Sequence, residues 1–491
     1  MSKTNEKLKK RTIAAMLLIV MLAGMSCGSD AGENETKTNG TEPEETTSVE
    51  TEKPFADDLG EYDFGGADCT FLVREPRAAD LFPESGNGDV VNDALYDRTI
   101  KIQERFNVNV KSVAIEDTAN FWNKTLSGDV MSGSGDYDVV MPDYWWGCET
   151  LGLFTDLNTL DEIDFSKPYW CAGWNDNAEI DGHIYNAVGY LSLDLVKNNM
   201  CVFFDQKLIS DFSLEDPYTL VEEHKWTIDK LKEMSDVVLS DLNGDGIYDW
   251  ENDRIGFGTG KHFANGLSYG CGVKMITNEE GDYKYTFMND TFVEKYKKLY
   301  DLLNHTQSVK YDDCGGTSGM GYGLNPGFKA DRILFLGTAI RTTEDMRDMT
   351  GDYGIIPYPL YDENQKNYST YNLGTAYMSI LITAKNPEMS AVMLEALNAE
   401  NYKSVIPEYL DTALKGKYSR DEKTAEMIDL VNESAYFDFA FVNASSGTAT
   451  WVGANLLYGS ENIASTYEKQ RVSLDKKLEA LLETYRNQAE S

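Results

Sequence analysis

Short apolar runs alternate with amphipathic helical segments over most of this chain. Residues 70–73 and 137–141 are apolar runs that end in polar or turn residues, and residues 199–204 and 333–336 repeat the pattern. Such runs are typical of parallel strands that are buried on both faces of a sheet. Because strands that alternate with helices favour one class of fold, the sequence predicts an α/β architecture.

The segments between the apolar runs carry helix signals. Residues 92–106 place apolar side chains at helical spacing, and Thr227 is a candidate N-cap. Asn386 followed by Pro387 predicts the start of another helix. The last predicted helix carries one apolar stripe, formed by Leu474, Leu478, Leu481, Leu482 and Tyr485.

The first 59 residues have the pattern of an export signal and a spacer. Basic residues lead into the apolar run 13–22, which is too short to span a membrane permanently, and small residues precede Cys27. Residues 28–58 hold ten acidic residues, two lysines and almost nothing apolar, which predicts a disordered segment. We therefore expect residues 1–26 to be a lipoprotein signal peptide. Residues 27–59 would tether the protein, through a lipid on Cys27, to the extracellular face of the cell membrane.

The alternative for this segment is an ordinary cleaved signal peptide with an incidental cysteine. The three residues before Cys27 are Gly24, Met25 and Ser26, which depart from the usual lipobox of bacterial lipoproteins. The tether-like composition that follows directly favours lipidation.

Composition restricts the functions of the remaining chain. About 430 of the 491 residues follow the spacer, enough for two lobes rather than one core. The formal net charge of -38 argues strongly against nucleic acid, because phosphate binding requires clustered Lys and Arg. A small neutral ligand or a cation fits this charge better.

The cysteines and histidines give weak signals. Of seven cysteines, six remain if Cys27 is lipidated, so disulfide pairing stays open. Wide spacing and the lack of a CxxC pair favour mostly free, buried thiols. Four histidines without an HExxH motif make a zinc site unexpected.

The sharpest local motif is the acidic loop 241–253. It offers oxygen ligands at loop positions 1, 3, 5 and 9 and Gly at position 6, which is the pattern that surrounds Ca²⁺. At position 12, where a bidentate Glu is expected, the chain has Asn252, so Asp253 or Glu251 must complete the shell. The alternative is an acidic surface turn. We expect a structural calcium site formed by Asp241, Asn243, Asp245, Ile247 through its carbonyl, Asp249 and Asp253.

Consecutive aromatic residues follow the second apolar run. Asp143, Tyr144, Trp145 and Trp146 come directly after the strand predicted to end at Met141. Aromatic rings stack on the apolar faces of sugars, and carboxylates or Arg bind their hydroxyl groups. The segment is therefore a candidate sugar platform, although at least one of its rings is expected to pack in the core.

Enzyme signatures are poor. Residues 266–270 fit GxSxG, but no strand is predicted before them, as a nucleophile elbow requires. Residues 256–261 end in Gly-Lys-His and so do not form a P-loop. Carboxylates are too abundant for a glycosidase pair to be recognised. We expect a protein that is not an enzyme.

Six blocks of sequence carry a recognisable pattern when they are taken in order. They lie at 137–157, 191–208, 224–231, 328–337, 353–359 and 375–387. The first is Tyr137-Asp-Val-Val with the "GLFTDL" segment after it, and the last runs into Asn386-Pro387. Each block is weak alone, but together, within about residues 65 to 400, they resemble extracellular solute-binding proteins of the carbohydrate type and follow that family's order. These proteins are the substrate-binding components of ABC importers.

The resemblance implies a two-lobed, periplasmic-binding-protein-like fold with strands that cross between the lobes. The first lobe would comprise residues 60–195 and 330–378, and the second 196–329 and 379–491. Ligand would bind in the cleft between them, and the lobes would close around it. The cleft candidates that the resemblance or an aromatic character suggests are Arg74, Glu75, Asp143, Tyr144, Trp145, Trp146, Trp174, Arg341, Tyr377 and Trp451.

We therefore expect a monomeric, lipid-anchored binding protein that delivers a sugar or oligosaccharide to an ABC permease. A surface glycoside hydrolase is one alternative, since it also needs aromatic and acidic residues in a cleft. A binder of another solute and a non-transport surface module are the others.

Overall fold

Two β-sheets organise the chain. The computed structural model describes residues 56–279, 281–312, 322–410, 422–448 and 451–489. Cys27 and nearly all of the predicted signal and spacer lie outside these ranges. The strands are β1 Ala67–Arg74, β2 Val108–Ile115, β3 Val139–Val140, β4 Met200–Asp205, β5 Ile255–Gly260, β6 Ile276–Glu279, β7 Asp282–Tyr285, β8 Val309–Asp312, β9 Ile333–Ala339, β10 Tyr353–Ile356, β11 Thr370–Tyr371, β12 Ser379–Ile380 and β13 Ala435–Tyr436.

The first sheet has the strand order β12-β3-β1-β2. Strands β1, β2 and β3 are parallel, with Ala67 paired to Val108, and β12 is antiparallel to β3. Helices Val90–Phe106 and Pro387–Glu400 pack against each other, and the second of them also contacts β1. Because the three parallel strands run the same way, the loops that follow β1, β2 and β3 meet at one edge of the sheet.

The second sheet has the order β10-β4-β9-β5-β8. Strands β9, β5 and β8 are parallel, whereas β4 is antiparallel to both β9 and β10. The residues after β5 and β9 therefore share an edge with the residues just before β4. The remaining strands form two small pairs, the antiparallel β6–β7 and the parallel β11–β13.

Two chain segments cross between the sheets and pair with each other. Asn199, just before β4, forms an antiparallel bridge with Asn372, on the way from β10 to β12. The Asn372 amide donates to the Asn199 side-chain oxygen at 2.9 Å, and Leu373 N donates to Asn198 O at 2.7 Å. The fold is thus the two-lobed α/β arrangement with crossover segments that the resemblance implied, one lobe around each sheet.

The lobe boundaries differ from those expected after residue 330. Strands β9 and β10 lie in the second sheet, although residues 330–378 were expected in the first lobe. Conversely, β12 completes the first sheet, and helix Pro387–Glu400 packs on that sheet, although residues 379–491 were expected in the second lobe. The reason is strand pairing, since β9 inserts between β4 and β5 and so belongs with them.

The predicted helix signals are confirmed. Thr227 Oγ1 accepts a hydrogen bond from Lys230 N, and Asn386 Oδ1 accepts one from Met389 N. The predicted stripe of the last helix is buried. The longer helices span Val90–Phe106, Ala119–Ser132, Ile228–Val238, Asp290–His305, Pro387–Glu400, Glu422–Glu433, Trp451–Tyr458 and Ile463–Ala489. The shorter ones are Ala78–Leu81, Ala172–Ala178, Asp194–Lys197, Gln206–Asp211, Pro217–Glu222, Ala264–Gly270, Asn325–Lys329, Ile406–Glu408 and Phe439–Val442. The 3₁₀ turns relevant to the cleft are Glu75–Arg77, Tyr144–Trp146, Lys261–Phe263 and Ile340–Asp348.

The long last helix contacts both lobes. Its Tyr485 hydroxyl accepts a hydrogen bond from the Asn186 amide at 3.0 Å, in a segment that also bonds to β12. Near its middle, the Leu474 carbonyl accepts from the hydroxyl of Tyr285 in β7 at 3.2 Å. It also contacts helix Asp290–His305, which in turn contacts β8 of the second sheet. The last helix therefore contacts elements associated with both sheets.

The five cysteines within the described residues carry free thiols, and four of them are buried. This confirms the prediction for those positions, which are Cys69, Cys148, Cys171, Cys201 and Cys271. Among the described helices, none has the length and apolar character needed to cross a bilayer.

Candidate functional site

A cavity of about 470 Å³ lies where the strand ends of the two sheets face each other. The first lobe contributes Arg74, the last residue of β1, Arg77 shortly after it, and Asp143 and Trp145 after β3. The second lobe contributes residues that follow β5 and β9. The crossing segments and one helix complete the lining. This is the position at which α/β sheets bind their ligands.

Arg74 forms the centre of the first wall. It ends β1, the strand between β3 and β2 in the sheet, so the loops after those strands flank it. Its Nε is 2.7 Å from Asp117 Oδ1, and its Nη1 is 2.7 Å from Asp143 Oδ2. The guanidinium carbon also lies 5.2 Å from the centre of the Trp146 ring. Two ion pairs and one cation–π contact therefore hold this side chain in one position.

Asp143 connects this arginine to the aromatic segment. Its Oδ1 accepts a hydrogen bond from Trp145 N at 3.1 Å, which caps the turn Tyr144–Trp146. Burial raises the pKa of the Asp143 carboxyl, and the positive charge of Arg74 opposes that effect. The carboxylate thus orients both the cation and the turn that carries the three rings.

The three consecutive aromatic rings have different environments. Trp145 is 41% exposed and lines the cavity. Tyr144 is fully buried, and its ring packs 4.6 Å from that of Phe441. Trp146 is half-buried against Trp122, with 5.4 Å between the ring centres. Only the middle ring of the turn is therefore available to a ligand in the cavity.

Four other expected residues do not line the cavity. Trp174 and Tyr377 are buried in the core, and Trp451 is nearly so, with its Nε1 donating to Gln470 Oε1 at 2.5 Å. Trp174 Nε1 donates to Asn186 Oδ1 at 3.1 Å. Glu75 is exposed at the start of the turn after β1. Trp174, Tyr377 and Trp451 were expected in the cleft, but their rings pack in the core.

The second wall carries two cations at strand ends. Lys261 follows β5 and Arg341 follows β9, and both are half-buried in the cavity lining. Within the described part of the chain, neither side chain forms an ion pair. Asn265, also on this wall, accepts a hydrogen bond from Gly453 N at 3.0 Å. Arg341 was expected in the cleft, whereas Lys261 and Asn265 were not.

The third side of the cavity comes from a crossing segment and the helix Trp451–Tyr458. The crossing segment supplies Tyr371, Leu373 and Gly374. The helix supplies Ala454, Leu457 and Tyr458, and the Tyr458 ring is 60% exposed. Two exposed aromatic rings, Trp145 and Tyr458, therefore belong to the same cavity.

One sequence signal could have identified part of the missed lining. Lys261 directly follows the apolar, glycine-rich segment 255–260, and Arg341 comes two residues after the apolar segment 333–339. Tyr458 is two helical turns from Trp451, so the pair lies on similar sides of one helix. No sequence pattern distinguishes the buried ring from the exposed one.

The acidic loop 241–253 lies outside this cavity. One carboxylate oxygen from each of Asp241, Asp245 and Asp253 lies within 4.8 Å of the other two. Gly246 has φ +76°, which permits the tight turn. Asp253 is buried and accepts hydrogen bonds from Leu242 N and Asp249 N. The carboxylates of three of the six expected ligands thus lie close together, and Asp253 is one of them.

The other three expected calcium ligands hold the loop in shape. Asn243 donates from its amide to Asp245 Oδ2 at 2.9 Å. Asp249 accepts from Glu251 N at 2.8 Å and from Asn252 N at 2.7 Å, and hydrogen bonds from Asn252 lower the pKa of its carboxyl. Ile247 is 67% exposed, and its N donates to Asp245 Oδ1. A cation at the centre would require the carboxylates of Asp241 and Asp245 to turn from backbone donors toward it.

The fold is a two-lobed α/β architecture with a cavity between the lobes. No protein-family model matches the chain, and no curated protein matches its sequence. Solved structures do match. The GacH receptor of Streptomyces glaucescens, determined unliganded and with acarbose, is 14% identical with a TM-score of 0.51. The match covers 86% of this chain and 98% of that one.

Two further structures give similar values. A maltose-binding periplasmic protein from Listeria monocytogenes, in complex with maltose, is 16% identical, with a TM-score of 0.53 over 86% of this chain and 98% of its own. The galacto-N-biose/lacto-N-biose I-binding protein of the ABC transporter from Bifidobacterium longum is 14% identical, with a TM-score of 0.53. That match covers 83% of this chain and 98% of the Bifidobacterium chain. The resemblance predicted from the sequence blocks is therefore confirmed at the level of the fold.

Proposed function

We propose that this protein is the substrate-binding component of an ABC importer and that it captures a saccharide in the cleft between its lobes. The observation that carries the proposal is the exposed Trp145 ring, which lines the cavity while the neighbouring rings of Tyr144 and Trp146 do not. A flat indole face in a cavity with polar side chains suits the apolar face and hydroxyl rim of a sugar. The exposed Tyr458 ring offers a second surface of the same kind.

The ligands of the similar structures support the ligand class. Those proteins, which have the same fold, bind acarbose, maltose and lacto-N-biose. Binding energy in such a fold stabilises the closed arrangement of the lobes, and no bond of the ligand needs to break.

Calorimetry with a panel of oligosaccharides tests the proposal. Trp145→Ala is expected to weaken binding about 30-fold, equivalent to about 2 kcal/mol, because a large ring at the centre of a small site dominates its affinity. Phe121→Ala is the matched control, since Phe121 is 42% exposed but does not line the cavity. Binding of a peptide or polyamine, with no saccharide bound, would show that the ligand class is wrong. Recovery of the bound saccharide in cleaved form would favour a glycoside hydrolase.

We also propose that the protein is held at the extracellular face of the membrane by a lipid on Cys27. The sequence before Cys27 and the acidic spacer after it support this, and a flexible spacer would let the binding protein turn while it docks on a permease. Metabolic labelling with an alkyne fatty acid should mark the wild-type protein and leave Cys27→Ala unlabelled. Equal labelling of the two would show that the cysteine is not the anchor.

We further propose that the acidic loop binds a structural Ca²⁺. The converging carboxylates of Asp241, Asp245 and Asp253 and the tight turn at Gly246 support this. Adding Ca²⁺ to chelator-treated protein should raise the melting temperature, because an ion that binds only the folded state stabilises it. Asp245→Asn should abolish that rise, whereas Asp97→Asn, at an exposed position on helix Val90–Phe106, should retain it. An unchanged melting temperature in the wild type would mean that the loop is only an acidic turn.

A further inference from the structure

The cavity lining has the opposite charge balance from the chain as a whole. The sequence contains 82 acidic and 44 basic residues, for a net charge of -38. The lining instead contains four cations, Arg74, Arg77, Lys261 and Arg341, and one acidic residue, Asp143. A local excess of positive charge within so acidic a protein indicates a requirement of the ligand.

The two cations of the first wall do not account for this excess. Arg74 contacts two carboxylates, Asp117 and Asp143, at 2.7 Å each. Arg77 lies 3.4 Å from a carboxylate oxygen of Asp194. Three carboxylates therefore neutralise two arginines, and this wall offers a ligand fixed hydrogen-bond donors with no surplus charge.

The surplus lies on the second wall. Lys261 and Arg341 form no ion pair within the described ranges, and both are half-buried in the cavity lining. A half-buried cation without a carboxylate partner has lost part of its hydration and has gained no protein charge in return. An anion that entered the cavity would give both cations a partner of opposite charge.

We propose that the saccharide bound in this cleft carries a negative charge, as a uronic acid carboxylate or a sulfate ester does, and that Lys261 and Arg341 bind the charged group. This inference rests on the proposed function, in which the cleft takes a saccharide. Arg341 supplies a planar pair of donors that matches two oxygens of one anionic group. Lys261 supplies a compact charge from the neighbouring strand end, since β5 and β9 pair in the sheet.

The two lobes would bind different parts of the ligand. The Trp145 ring of the first lobe contacts an apolar face of the sugar, and the cations of the second lobe bind its anionic group. The ligand would then join the two lobes through two different interactions. A neutral sugar of the same shape would leave the two cations without a partner, so charge becomes the basis of selectivity.

Matched pairs of ligands test the inference by calorimetry with the purified protein. One pair is trigalacturonate and its methyl ester, and the other is lactose 3′-sulfate and lactose. We expect the charged member of at least one pair to bind at least tenfold more tightly than its neutral partner. The pair that shows the difference identifies the anion as carboxylate or sulfate.

Variants connect this difference to the two cations. Arg341→Gln and Lys261→Gln should each reduce the charged-to-neutral preference at least fivefold, and Arg341→Lys should recover part of it. Lys476→Gln removes an equal charge from an exposed position on the last helix and should leave the preference unchanged. Circular dichroism confirms that each variant is folded before its affinity is compared.

The outcomes separate this inference from the proposed function. If neutral saccharides bind as tightly as their charged partners, or bind while no charged one does, the inference is wrong and saccharide binding stands. If no saccharide binds, both are wrong. If the charged preference exists but survives in both Gln variants, the anion is bound elsewhere and the assignment to Lys261 and Arg341 is wrong.

Discussion

The two walls of the cleft use arginine in different ways. Arg74 of the first wall and Arg341 of the second occupy equivalent positions, each at or just after the carboxyl end of a strand. Arg74 is fixed by two carboxylates and an indole ring, whereas Arg341 has no acidic partner in the described structure. The same residue type at the same place in a sheet is therefore part of the fold in one lobe and available to a ligand in the other.

The largest effect that distinguishes the walls is expected in stability. Arg74→Met leaves Asp117 and the buried Asp143 without their cation, which should lower the free energy of unfolding by about 3 kcal/mol. Arg341→Met breaks no ion pair and should change it by less than about 0.5 kcal/mol. Urea unfolding followed by tryptophan fluorescence measures both. Similar changes in the two variants would mean that Arg74 stabilises the fold no more than Arg341 does.

A second test concerns the support behind the first wall. Glu395, on helix Pro387–Glu400, is buried and accepts hydrogen bonds from the Tyr169 hydroxyl and from Trp170 Nε1. Burial raises the pKa of its carboxyl from 4.5 to about 7, against the opposing effect of those hydrogen bonds. Between these values the folded protein binds a proton that the unfolded chain has released. Stability is therefore highest below about pH 4.5 and falls as the pH rises to about 7.

Glu395→Gln should remove this part of the pH dependence, about 2 to 3 kcal/mol between pH 4.5 and 7. Urea unfolding at several pH values measures it as a difference from the wild type. Glu388→Gln, at an exposed position on the same helix, should keep the wild-type slope. Because Glu395 lies away from the cavity, the affinity for ligand should not change in either variant. If the pH dependence of stability persists in Glu395→Gln, it arises from other buried carboxyl groups.

The smallest of these effects concerns the segment that joins the walls. Gly374 has φ +147°, and a Cβ there would lie 2.5 Å from Cε1 of Tyr144. Gly374→Ala should cost about 2 kcal/mol of stability, through both the backbone conformation and the displaced ring. Gly88 also has a positive φ, but a Cβ there would meet open space. Gly88→Ala should therefore lower the free energy of unfolding by about 1 kcal/mol. Equal losses would mean that the ring of Tyr144 moves freely behind the first wall.

Four of the expected cleft residues line the cavity, namely Arg74, Asp143, Trp145 and Arg341. The family resemblance predicted their place in the cleft, and the structure explains it, because each lies at or after the carboxyl end of a strand. Strand ends alone could also have suggested Lys261, which follows β5. Such positions can be predicted because they depend on local apolar runs and on a general rule of sheet geometry.

The exposure of the aromatic residues could not be predicted. Tyr144, Trp145 and Trp146 are consecutive, but a 3₁₀ turn directs each ring to a different environment. Tyr144 is buried by Phe441 and Tyr371, which are distant in the chain, so its burial depends on tertiary contacts.

The predicted lobe boundaries after residue 330 were wrong for a similar reason, because they too depend on tertiary contacts. The chain crosses between the sheets after β10, and no composition signal shows which sheet accepts a given strand.

The attachment of the last helix to both lobes has a mechanical consequence. The helix bonds to Asn186 at Tyr485 and to Tyr285 at Leu474. A rotation of one lobe against the other would have to shift or break some of its contacts, so the helix would resist that rotation. We therefore expect the opening angle of the cleft to depend partly on residues of this helix, which lie outside the cavity lining.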